Sequence, residues 1–149
     1  MIAYKNLKDI INITIKWEEK LKDFYDVAEF ALIDSESKKI VRVLRDNLLK
    51  DLNILKNVDV NSFGAISWVQ YARDYKEEDL IPKKKITRNS TPEEIFTHIL
   101  KYVENLRDFY SHIHDNISND RQKELFKSLI LFKDEQIHEI NKFMKDQKI

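Results

Sequence analysis

Glu19-Lys-Leu-Lys-Asp-Phe-Tyr25 and Glu104-Asn-Leu-Arg-Asp-Phe-Tyr110 are the same seven-residue pattern written twice, once early and once late in the chain. Each copy sits within a longer stripe of apolar residues spaced alternately four and three apart, the spacing that lines one face of a helix. Around the first copy the stripe runs Leu7, Ile11, Thr14, Glu18, Leu21, Tyr25, Ala28, Leu32, with a carboxylate at its centre. Around the second it runs Phe96, Ile99, Val103, Leu106, Tyr110, Ile113, Ile117. The repeat therefore predicts two equivalent helices, each the first member of a helical hairpin.

Cap signals supply the other two helices. Asp34 or Ser35 can cap a second helix, whose stripe reads Ile40, Leu44, Asn47, Asp51, Ile54, Val58 with Val41, Leu48, Leu52 and Leu55 on its flank. Thr91-Pro92-Glu93-Glu94 combines a capping hydroxyl, a proline at the first helical position and a glutamate that closes a capping box. Ser118 to Asp120 offer a cap for the last helix, with Leu125, Leu131, Glu135 and His138 on one side. The expected helices cover 7–33, 35–58, 91–117 and 119–146.

Composition agrees with this reading. The 149 residues include one Gly and two Pro, too few to turn a sandwich or barrel, while 42% hydrophobic content suits one core. Lys plus Arg and Asp plus Glu both number 26, so no net charge steers the chain to nucleic acid or to an anionic membrane surface. Without Cys there are no disulfides, thiolate metal sites or thiol nucleophiles. No apolar leader and no stretch of membrane-spanning length is evident, and the expected location is cytoplasmic.

The segment 59–90 is far longer than a link between neighbouring antiparallel helices, and can cross a bundle from end to end. Within it Trp68, Val69, Tyr71, Ala72 and Tyr75 have helical spacing and predict a short helix over the bundle, whereas Ile81-Pro82-Lys83-Lys84-Lys85 reads as solvated loop. Two hairpins joined by one long connection is the arrangement of an all-α, ferritin-like four-helix bundle, a single domain spanning residues 1–149.

Di-iron proteins of that architecture draw a Glu from two helices and Glu-x-x-His from the other two, because residues three apart share a helix face and can reach one ion. Here Glu135-Gln-Ile-His138 has the paired spacing, and Glu18 stands seven residues before the Phe-Tyr of the first helix. In these features the chain resembles the rubrerythrin branch of the ferritin-like superfamily. The resemblance implies metal ligands Glu18, Glu135 and His138, with Glu19, Asp51 and Glu104 as alternates in a rotated register. It also implies iron or manganese as cofactor and a homo-oligomer, in the simplest case a dimer. Redox turnover would need an external electron donor, since no four-cysteine iron site can be built.

The remaining ligand positions depart from that pattern. Aligning Asp51-Leu52 with Glu139-Ile140 puts Asn47 and Lys50 where the second helix should carry Glu and His, and Val103 where the third should carry Glu. The expectation is a degenerate centre in which Glu18, Asn47, Lys50, Glu135 and His138 share a polar pocket, the Lys50 ammonium standing in for metal. Such a protein would be a non-catalytic binding or structural protein, and a working metal-dependent oxidoreductase or iron-handling protein is the alternative. His98, His112 and His114 are expected at the surface or on flanks, since 112 and 114 point to opposite sides of a helix.

Overall fold

The computed structural model describes residues 3–59, 68–71, 80–81 and 85–149. Among them are four long helices: α1 (Leu7–Ala31), α2 (Ser35–Lys56), α3 (Pro92–Asp115) and α4 (Asp120–Asp146). Each starts at a side-chain cap. The Asn6 side chain accepts from the Asp9 amide at 2.9 Å, Asp34 from Ser37 at 2.8 Å, and Asn119 from Gln122 at 3.1 Å. Thr91 and Glu94 form the reciprocal capping box. These contacts satisfy amides that the first turn would otherwise leave bare.

The two stripes around the repeat both face inward. Leu21 and Leu106, the equivalent leucines, are fully buried, and so are Tyr25 and Tyr110. All seven positions of the α3 stripe, from Phe96 to Ile117, lie in the core. Truncating one such leucine to alanine would remove about 2–5 kcal/mol.

Helix directions follow from which residues meet. Along α1 and α2, Glu29 pairs with Arg42 at 2.5 Å, Asp26 with Arg45 at 3.1 Å and Glu19 with Lys56 at 2.7 Å, so these helices are antiparallel. On α3 and α4, Phe96 packs on Phe143 and Tyr110 on Phe126, again antiparallel. Phe24 meets His98 while Glu18 meets Tyr110, which opposes α1 to α3. It follows that α1 and α4 point one way and α2 and α3 the other.

Three contacts involve described residues between α2 and α3. Trp68–Tyr71 forms strand β2, paired antiparallel with strand β1 (Ala3–Asn6) immediately before α1. The Leu80 carbonyl accepts from Asn105 Nδ2 at 3.0 Å, midway along α3. Arg88 lies over the Phe30 ring at 4.2 Å, near the end of α1.

The strand corrects the expected short helix at Trp68 to Tyr71. A run of Trp-Val-Gln-Tyr suits a pleated strand as well as a helix, and the extended start of the chain supplies the pairing partner that decides between them. Ala72 and Tyr75 lie outside the described residues, as do 82–84 of the expected lysine loop, whereas Lys85 is exposed.

Candidate functional site

At the centre of the bundle, the carboxylate of Glu18 is 2% exposed and Lys133 on α4 is 0% exposed. The inward stripe of α1 puts Glu18 there. On α4 the inward stripe is Gln122, Phe126, Leu129, Lys133, Gln136 and Ile140, which brings Lys133 and Gln136 to one face at a spacing of three. Lys133 Nζ donates to Glu18 Oε2 at 2.6 Å and to Gln136 Oε1 at 3.1 Å. Tyr110 O–H donates to the other Glu18 oxygen, and Gln136 Nε2 reaches Tyr25 Oη at 3.5 Å. Two buried charges thus meet each other and three neutral polar groups, the condition under which such a pair is tolerated in a core.

The surroundings act on every proton in this network. Burial pushes the Lys133 ammonium below the usual lysine range, opposed chiefly by the Glu18 carboxylate. Burial pushes the Tyr25 and Tyr110 phenols well up, and the negative charge on Glu18 pushes the same way, so both stay neutral donors or acceptors. Asp51 on α2, half-buried, is raised first by burial, with Lys133 pulling it down and Glu18 and Glu135 pushing it up.

The expected pocket of Glu18, Asn47, Lys50, Glu135 and His138 is not the one that forms. Only Glu18 occupies the interior. Glu135 and His138 are exposed on α4, and Asn47 and Lys50 are exposed on α2. The reason on α2 is rotation: its core face is Val41, Leu44, Leu48, Leu52 and Leu55, which keeps Leu44 of the expected stripe and otherwise consists of the residues expected on the flank. That turns Asn47 and Lys50 outward, and the cation beside Glu18 is Lys133 instead. On α4 the helix is turned by two residues from the expected face, so Lys133 and Gln136 take the inward places of Glu135 and His138.

The alternates are also dispersed. Glu19 is at the surface with Lys56, Glu104 is half-buried on α3, and Val103 is buried apolar core. His98 is buried rather than superficial, with its ring stacked on Phe24 at 4.4 Å and 6° between planes. His112 and His114 are half-buried, on flanks.

Asn47, Lys50, Asp51 and Glu135 do meet, but at the surface. With Val43, Leu44, Phe132, Gln136 and Glu139 they line a groove of about 310 Å³ between α2 and α4. Asp51 also borders a smaller internal space beside Glu18, Leu48 and Phe132, so it stands between the groove and the buried pair.

A di-metal centre needs several carboxylates and imidazoles facing one space. Among the described residues no three His, Asp or Glu side chains are placed to hold a metal ion. The residues at the bundle centre, one carboxylate against one ammonium, do not fit such a cluster. Among the described residues no helix is long and apolar enough to cross a membrane. No protein-family model, no curated protein and no solved structure matches this chain.

Proposed function

We propose that the chain is a ferritin-like bundle of di-iron carboxylate ancestry in which an internal lysine has taken the place of the metal, leaving a non-catalytic binding or structural protein. The observation that carries this reading is the Glu18–Lys133 pair, a 2.6 Å contact with both side chains buried at the centre of four helices. A carboxylate at that place needs a positive partner, and an ammonium anchored by Gln136 provides one that cannot exchange with solvent ions. Three features support the ancestry. The Glu-Lys/Asn-Leu-Lys/Arg-Asp-Phe-Tyr repeat makes α1 and α3 equivalents. Lys133-x-x-Gln136 has the spacing of a Glu-x-x-His ligand pair. The parallel course of α2 and α3 accords with one long crossover. A cytoplasmic location and a homodimer belong to the same reading.

The test is elemental analysis of protein purified without added metal, followed by anaerobic Fe(II) titration. The expected result is substoichiometric iron and manganese and no saturable Fe(II) uptake. Near-stoichiometric iron bound in wild-type protein would overturn the degenerate reading in favour of a metal-dependent oxidoreductase or iron-handling protein.

A further inference from the structure

The groove between α2 and α4 gathers three carboxylates and one ammonium beside apolar side chains. Several carboxylates elsewhere on the bundle have basic partners: Glu29 with Arg42 and Arg45, Asp26 with Lys22 and Arg45, Glu19 with Lys56, Asp134 with Arg107. Asp51, Glu135 and Glu139 line one groove and make no ion pair among the described residues, although Lys50 shares the groove with them. Three carboxylates against one ammonium leave a formal charge of −2 there. Val43 and Leu44 on α2 and Phe132 on α4 add apolar surface to the same lining. At about 310 Å³ the space is at the lower end of the range for small-ligand pockets, about 300–1,000 Å³.

We propose that this groove binds a small organic monocation, a primary amine carried on an apolar body. The amine is matched to Asp51, Glu135 and Glu139, and the body to Val43, Leu44 and Phe132. A bare divalent ion fits less well, because the acidic side chains are not placed to coordinate one ion and much of the lining is apolar. Lys50 sets a limit on the ligand's charge, since a second cationic group would meet it. The half-buried Asp51 carboxyl, pressed by Glu18 behind it and Glu135 beside it, gains from an incoming positive charge. The inference does not rest on di-iron ancestry, and its failure would leave that reading untouched.

The experiment is a titration of uniformly ¹⁵N-labelled full-length protein with phenethylamine at pH 7 and 0.15 M salt, followed by backbone amide shifts. The neutral 2-phenylethanol and the anionic 3-phenylpropionate serve as comparisons. Expected are saturable shifts confined to residues 43–51 and 132–139, with Kd of about 0.1–1 mM and binding at least about tenfold weaker for the neutral and anionic analogues. Glu135→Gln/Glu139→Gln, altered at the groove rim away from the buried pair, should weaken amine binding about tenfold at unchanged melting temperature. Lys50→Ala should tighten it, by about threefold, because a like charge is removed. Equal binding of amine and alcohol, shifts scattered over the surface, or a Glu135→Gln/Glu139→Gln variant that binds as well as wild type would each overturn the proposal. A parallel titration with MnCl₂ that saturates at the same residues and displaces the amine would assign the groove to a metal ion and overturn it as well.

Discussion

Replacing Lys133 by methionine keeps the length and much of the volume of the side chain and deletes its charge. Glu18, 2% exposed, then loses the 2.6 Å ammonium contact and keeps only the Tyr110 hydroxyl. Breaking a buried ion pair from one side costs about 3–5 kcal/mol, because a charge is left inside without compensation. In a domain of this size 1 kcal/mol moves the melting temperature by about 2–4 °C, so a fall of about 6–20 °C is expected. Thermal melts by circular dichroism at pH 7, with urea melts for the free energy, measure it. Adding Glu18→Gln should recover most of the loss, since the amide can accept from Tyr110 and carries no charge. Neutral or apolar replacement of a whole buried pair is often harmless. The cycle of Lys133→Met, Glu18→Gln and the double variant should therefore give a coupling of several kcal/mol. Lys50→Met, on the exposed face of α2, should stay within about 0.5 kcal/mol of wild type. A Lys133→Met protein that melts within 2 °C of wild type, or a double variant no better than the single one, would refute the argument.

Three further outcomes follow from the same network and its frame. Tyr25 and Tyr110 hold their protons when folded above the unfolded value of 10.0, so the native state binds the extra protons and stability falls as pH rises past that value, by about 1.4 kcal/mol per pH unit for each. Lys133 has the opposite sign, because its lowered folded value lets stability rise with pH only up to its unfolded 10.5; urea melts above about pH 10.5 should therefore show the tyrosine slope, and Tyr25→Phe should remove about half of it. Asp51 is raised when folded, so its ionisation opposes folding as pH climbs through that raised value; Asp51→Asn should raise the melting temperature modestly at pH 7 and lose the advantage near pH 3, and a lower melting temperature at pH 7 would contradict this. Thr91→Ala removes the hydroxyl that accepts from the Glu94 amide at 3.1 Å and should cost about 1 kcal/mol, read as a drop of about 2–4 °C in the melt.

How far the sequence could be read depended on how each helix distributes its polar residues. In α1 and α3 nearly every inward position is apolar or aromatic and no competing stripe exists, so period alone orients them, with Glu18 falling inward because its neighbours Thr14, Leu21 and Tyr25 do. In α2 two stripes one residue apart compete. Ile40 is half-buried and Ile54 64% exposed, yet they are as hydrophobic as the core residues Val41 and Leu55, and periodicity cannot rank the two faces. Packing decides between them, since Leu48 and Leu52 belong to the buried face, beside Glu18 of α1 and Leu129 and Phe132 of α4. In α4 the obstacle is the reverse. Phe126, Leu129 and Ile140 mark the inward face, but Lys133 and Gln136 fill its centre, and a lysine counts against burial on any hydropathy scale. The signal that outweighs hydropathy lies on a different helix. A carboxylate placed mid-stripe in α1 must find a cation across the core, and among the lysines of α4 Lys133 alone extends the 126–129–140 spacing by steps of four and three. The charge requirement was legible from Glu18. The residue that meets it emerges only when the polar centre of the α4 stripe is treated as the partner of the α1 centre, two positions that folding brings to 2.6 Å from 115 residues apart.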